Sequence, residues 1–239
     1  MSAELIKRIF TSVILLGIAF YVITSFNQDY FLYFMLTLGI ICAVEWFVTN
    51  QKILDKFRSG FEPYINTAFK SKKFYKYFSI YFFGIVYFLF VLPMSAFYLR
   101  FEESLSLFLI LLFICICSDT GGYFIGKIVG GKKLTKISPN KTISGSVGSF
   151  IFSILPILVV DLLNIGFISF QLNFKNILFS LFVSLICQLG DLLFSYFKRL
   201  NKRKNTGTLL PGHGGLLDRI DGLVVVLPVV FFLKIIEII

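Results

Sequence analysis

The sequence predicts an all-α, polytopic integral membrane protein of about seven transmembrane helices, N-terminus in the cytoplasm. Three observations carry this. Of the 239 residues, 57% are hydrophobic, against about 45–50% in a soluble domain, and mean hydropathy is +0.86. The excess falls in blocks close to the length of a membrane span. Lysine and arginine concentrate in alternate connections between those blocks.

The blocks lie at 9–26, 30–49, 78–99, 104–118, 146–165, 176–194 and 222–239. Crossing the hydrocarbon takes about 20 apolar residues, and these runs are too uniformly apolar for soluble amphipathic helices. A lone span must satisfy its own backbone hydrogen bonds, which makes each a helix; barrel strands would be shorter and alternate in polarity. The first block follows Lys7 and Arg8 and leads to Phe26-Asn27-Gln28-Asp29. Without a small-residue cleavage site there, it is expected to be a retained anchor. Basic clusters at 7–8, 52–76, 127–141 and 198–204 hold nineteen of the 23 lysines and arginines. Basic loops stay on the cytoplasmic side, and threading the blocks from an inside N-terminus places every cluster there. The expected location is the cell inner membrane, multi-pass, active site facing the cytoplasm. The net charge of +10 is thereby a topogenic signal aided by anionic headgroups, and no nucleic-acid partner is expected. Cys42, Cys115, Cys117 and Cys187 lie within apolar blocks and read as small buried residues.

Two regions follow: a membrane region over 1–99 with a basic loop at 50–77, and a C-terminal catalytic membrane domain over 100–239. The loop at 50–77 is either an interfacial helix or a solvated topogenic loop. Segment 117–148 reads as a cytoplasmic loop rich in glycine and lysine. Its glycines would let backbone N–H groups approach a ligand, and Lys127 and Lys141 among others supply charge for phosphate. It contains no P-loop motif.

Segment 188–222 is the most informative. On a helix, Ser180, Ser184, Gln188, Asp191, Ser195, Lys198, Arg199 and Lys202 fall within an arc of about 100°. This polar stripe runs from the membrane into the cytoplasm and predicts a wet cavity between helices, since a buried ionisable group in a span is costly. The competing reading pairs Asp191 with Lys198 or Arg199 at the interface. Beyond it, Pro211-Gly212-His213-Gly214-Gly215 cannot be regular helix, and Asp218 and Asp221 share a face three residues apart. They could simply complement the helix dipole. Together with Asp191 they also make an oxygen donor set suited to Mg²⁺, alone or with a second cation. Lys198, Arg199 and Arg219 would then bind phosphate oxygens. His213 is either a proton donor to a leaving pyrophosphate or a structural loop residue.

These residues resemble the signature of the phosphatidate cytidylyltransferase (CDP-diacylglycerol synthase) family. That signature runs S-x-x-K-R, four residues, K-D, then P-G-H-G-G-x-x-D-R-x-D. Here it reads Ser195, Lys198-Arg199, Lys204-Asn205, then Pro211 to Gly215, Asp218-Arg219 and Asp221. Gly190-Asp191-Leu192, Ser118 to Lys127, Ser138 to Gly145 and the dipeptide Glu45-Trp46 are similar to further family elements. The resemblance implies transfer of CMP from CTP to phosphatidate, giving CDP-diacylglycerol and pyrophosphate, with Mg²⁺ at Asp191 and Asp218 and with Asp221 nearby. Partners would be CTP, phosphatidate, membrane lipids and a second copy in a homodimer. The candidate catalytic set is Asp191, Ser195, Lys198, His213, Asp218 and Asp221. The candidate substrate contacts are Lys127, Lys141, Arg199, Lys204, Gly214, Gly215 and Arg219.

Three positions depart from the pattern: Asn205 stands for Asp, Phe194 for Glu and Ser144 for Glu. Each removes negative charge and should weaken a second cation more than a first. Other readings are a related CTP-using lipid enzyme (a polyprenol kinase or ether-lipid cytidylyltransferase), a transporter, and an inactive relative. Transporters show paired repeats and broken helices in both halves, whereas polar residues here concentrate in the second half.

Overall fold

The computed structural model describes Ile14 and residues 17–59, 72–135, 137–166, 168, 170–210 and 214–238. Among them the regular structure is helical, with no strand beyond the isolated bridges Lys133–Thr142 and Leu210–Gly214. After a helical stretch at 17–25 come α1 (Gln28–Ser59), α2 (Lys72–Val86), α3 (Leu92–Phe97), α4 (Leu105–Val129), α5 (Ile143–Ser153), α6 (Leu155–Leu162), α7 (Phe174–Leu200) and α8 (Leu217–Ile235). Two π-helical stretches, Tyr87–Val91 and Tyr98–Glu103, join α2, α3 and the start of α4.

Among the described residues, five helical stretches are long and apolar enough to cross a membrane: Gln28–Asn50, Ser79–Glu103, Leu105–Ile128, Ile143–Leu162 and Phe174–Leu200. These correspond to five of the seven expected blocks. The first block lies partly outside the described residues. The last becomes α8, which carries Asp218, Arg219, Asp221 and Lys234 within its length. The apolar helices bury several hydroxyls and turn large apolar side chains outward. Ser95, Ser118, Ser153, Ser180 and Ser184 are fully buried, while Phe82, Phe90, Ile128, Ile151 and Leu162 are exposed. That pattern suits hydrocarbon, where buried hydroxyls bond between helices and the outer surface needs no polar groups.

The chain divides into two compact units, Met1–Met94 with Phe197–Arg219, and Ser95–Tyr196 with Ile220–Ile239. In the first, α1 packs against α2 and the π turn that follows it. The Trp46 indole donates to the Ile80 carbonyl at 3.3 Å, and its ring meets Phe197 edge-on at 4.8 Å. The Tyr81 hydroxyl donates to the Asn50 carbonyl at 2.8 Å.

In the second unit α4 lies at the centre, with Leu109, Ile110, Leu111 and Ile114 all fully buried. Ser104 caps its start, accepting from the Leu107 N–H at 3.0 Å. The expected loop at 117–148 is helix as far as Val129. Its helical glycines 121, 122 and 126 serve packing. A Cβ on Gly121 would sit 2.8 Å from the Gly148 carbonyl oxygen, and one on Gly145 would sit 2.7 Å from that of Gly122. Small residues let α4 and α5 backbones meet, as in close membrane helix pairs. The helix ends at Gly130, whose φ of 62° is in the left-handed region. Thr142 then caps α5, accepting from the Gly145 N–H at 3.0 Å. Ser144 donates to the Gly130 carbonyl, so the serine that stands for a family glutamate ties this turn together. Phe194, the second departure, is core, 5% exposed.

Candidate active site

Each unit holds a lysine–carboxylate pair among the candidate residues, and each pair belongs to a distinct local construction. In the second unit the stripe on α7 faces side chains of α4 and α5. Ser184 shares a hydrogen bond with Ser118 at 2.8 Å. Gln188 donates to Ser184 at 3.3 Å and accepts from Ser146 at 2.5 Å. The inner half of the expected wet cavity is thus filled by interhelical hydrogen bonds, because serines on the facing helices complement the stripe.

At the end of that ladder stands Asp191. Its Oδ2 accepts from Lys141 Nζ at 2.8 Å, so its cation comes from the segment before α5, not from Lys198 or Arg199. Its Oδ1 is buried and has no hydrogen-bond partner among the described residues. A buried carboxylate oxygen without a donor is costly. Asp119 on α4 and Cys187 on α7 bring ligand atoms within 4.8 Å of each other and of Asp191, and the Cys187 thiol donates to Asp119 Oδ1 at 3.7 Å. Two glycines shape this corner. A Cβ on Gly222 would lie 3.1 Å from Asp191 Oδ1, and one on Gly190 would lie 3.1 Å from the Asp221 carbonyl oxygen. Asp221 itself accepts from the Gly222 N–H at 3.2 Å. Ser195 is half-buried on α7. Lys127 is exposed, its Nζ 5.6 Å from the centroid of the Tyr123 ring.

In the first unit Lys198 Nζ donates to Asp218 Oδ1 at 2.8 Å, and both side chains are largely buried at 10% and 8% exposure. Asp218 Oδ2 accepts the Thr206 N–H at 2.8 Å and the Gly215 N–H at 3.0 Å. Among the described residues, three donors occupy a group with about four lone-pair sites. Gly214 has φ 88°, the left-handed conformation that favours glycine, and a Cβ there would lie 3.1 Å from Asp218 Oδ2. Arg199 is exposed and donates to the Arg203 carbonyl at 3.0 Å. Lys204, Asn205 and Arg219 are exposed. Pro211, Gly212 and His213 lie outside the described residues.

The loop that carries these groups is held by a residue that the sequence reading noted only as half of a dipeptide. Glu45, 6% exposed on α1, accepts from Thr206 Oγ1 at 3.1 Å, from the Leu216 N–H at 2.9 Å and from the Leu217 N–H at 2.8 Å. It caps the start of α8 with charge matched to the helix dipole. Close by, Thr49 donates to the Thr206 carbonyl at 3.0 Å, and Asn201 donates to Asn50 Oδ1 at 2.9 Å. A carboxylate inside an apolar run was the signal in the sequence.

The sequence profile of the cytidylyltransferase family matches residues 62–236. The chain belongs to this family. Curated phosphatidate cytidylyltransferases are similar over 141 residues, at 40% identity for Staphylococcus haemolyticus, 43% for Staphylococcus aureus and 41% for Staphylococcus epidermidis. The match takes in 58% of this chain and 53% of each relative, so the chain spans about half the length of the curated relatives it matches. Asp119 was missed as a candidate because the serine-aspartate pair at 118–119 was read as loop; on α4 it faces the α7 stripe.

Proposed function

We propose that the protein transfers CMP from CTP to phosphatidate, giving CDP-diacylglycerol and pyrophosphate. Its similarity to curated phosphatidate cytidylyltransferases supports the substrates. The observation that carries the chemistry is the corner around Asp191. A buried carboxylate oxygen lacks a donor among the described residues, a second carboxylate sits nearby, and a lysine lies at 2.8 Å. This donor set fits a hard cation. Asp191 and Asp119 would hold Mg²⁺, which when bound neutralises phosphate charge and orients the groups that exchange.

The remaining roles fall to the chain's own residues. Lys141 is placed to attract the nucleotide's phosphates beside Asp191. Within the first unit, Lys198 is a buried cation held by Asp218, and the Gly215 N–H is oriented by the same carboxylate. An oxygen of the phosphatidate phosphate attacks the α-phosphorus of CTP. A new phosphorus–oxygen bond forms as the bond to the bridging oxygen breaks, and pyrophosphate leaves with that electron pair. Positioning and charge neutralisation supply most of the acceleration in such transfers.

We read the membrane arrangement as seven spans, N-terminus in the cytoplasm, in the inner membrane, with the basic loops and the active site on the cytoplasmic face and the chain acting as a homodimer. The test is purified protein in lipid nanodiscs with labelled CTP and phosphatidate. Mg²⁺-dependent formation of CDP-lipid and pyrophosphate, lost with a chelator and restored by added Mg²⁺, is expected. No CDP-lipid under saturating substrates would end this reading.

A further inference from the structure

The first unit contains a groove of about 590 Å³ that the chemistry above leaves unused. One wall is a face of α1, with Ile40, Val44 and Val48 one turn apart. Ile40 and Val44 are each 55% exposed and lie within the apolar stretch Gln28–Asn50. The other wall is the loop bearing Arg203, Lys204 and Leu209. The groove therefore has an aliphatic side and a cationic rim. Glu45 also lines it, but both of its oxygens are taken by the three donors that tie down the loop.

We infer that this groove seats the lipid acceptor, with an acyl chain along Ile40, Val44 and Val48 and its phosphate at Arg203 and Lys204. The inference rests on the cytidylyl-transfer reading and names where its lipid binds. Charge complementarity selects the occupant. A nucleotide triphosphate would satisfy the basic rim but gain nothing from an aliphatic wall. A neutral lipid would use the wall but leave two cations unmatched. An anionic glycerophospholipid with a terminal phosphate uses both, and the volume lies in the range of about 300–1,000 Å³ usual for small-molecule sites. The rim is also joined to the catalytic candidates, since Thr206 two residues on donates its N–H to Asp218. A phosphate at the rim is thus presented on the loop that Lys198 and Asp218 hold.

The probe is a diazirine-bearing phosphatidate, photolysed with the full chain in phosphatidylcholine nanodiscs. Labelling is expected on peptides containing residues 40–48 or 203–209, displaced by unlabelled phosphatidate and not by added CTP. Val44→Trp fills the wall and Arg203→Gln removes a rim charge, so two variants of unrelated chemistry address one groove. Each should lower labelling about fivefold and raise the KM for phosphatidate by about three- to tenfold, with the KM for CTP within about twofold. Labelling indifferent to both variants while turnover persists overturns the assignment. A rise in the KM for CTP instead, which would place the nucleotide at the rim, overturns it as well. Groove labelling that responds to both variants in a protein that forms no CDP-lipid supports the lipid site and sinks the cytidylyl-transfer reading.

Discussion

Replacing Glu45 by alanine should release the loop between α7 and α8. The Glu45 carboxylate accepts three hydrogen bonds, two of them from the Leu216 and Leu217 backbone N–H groups at 2.9 and 2.8 Å, and Leu217 is fully buried. Alanine leaves those two donors and the Thr206 hydroxyl without acceptors. An unsatisfied buried donor costs about 1–3 kcal/mol. Water entering the opened site recovers part of that, so about 2 kcal/mol of local destabilisation is a fair figure. It corresponds to about a thirtyfold rise in the open population, and proteolysis of a rapidly opening segment tracks that population. Arg203 and Lys204 provide tryptic sites within the loop. Limited trypsin digestion of the full chain in nanodiscs should therefore cut after them about thirtyfold faster in Glu45→Ala. Glu45→Gln keeps one acceptor oxygen and should fall between alanine and wild type. CDP-lipid formation should drop in the same order. Equal cleavage rates in all three proteins would show that Glu45 does not hold the loop.

Asp191→Asn should lower turnover at least about a hundredfold and abolish the response to added Mg²⁺, measured by titrating the metal; an unchanged metal dependence would exclude Asp191 as a ligand. Asp218→Asn should abolish turnover with the protein still accumulating in membranes, because asparagine keeps the shape and an acceptor for the Thr206 and Gly215 N–H groups; near-normal activity would rule Asp218 out of the site. Gly222→Ala sets a Cβ 3.1 Å from Asp191 Oδ1 and should weaken Mg²⁺ activation about tenfold with little change in the KM for phosphatidate. Gly148→Leu should split α4 from α5 and lower thermal stability in detergent by several degrees, overpacking costing about 1–3 kcal/mol. A melting curve matching wild type would show that the two backbones do not meet there.

Several features were legible in the residues because they arise from local physics. Apolar blocks of spanning length must be helices in lipid, whatever they pack against. The stripe on α7 follows from helical periodicity. The spacing from Ser195 to Asp221 carried the family. Partner choice was not legible. Asp191 had Lys198 and Arg199 on its own helix, yet its cation is Lys141, fifty residues away in sequence. The glycines at 121, 122 and 126 suit a phosphate loop as well as a helix seam; only the facing glycines of α5 decide between them. In the sequence Glu45 is a lone carboxylate in a greasy helix; in the fold three donors of the 206–217 segment surround it. Composition and period determined which segments are apolar enough to cross a membrane and which face of α7 is polar. Tertiary structure decided which charge meets which, because pairing depends on distances between segments that no local pattern encodes.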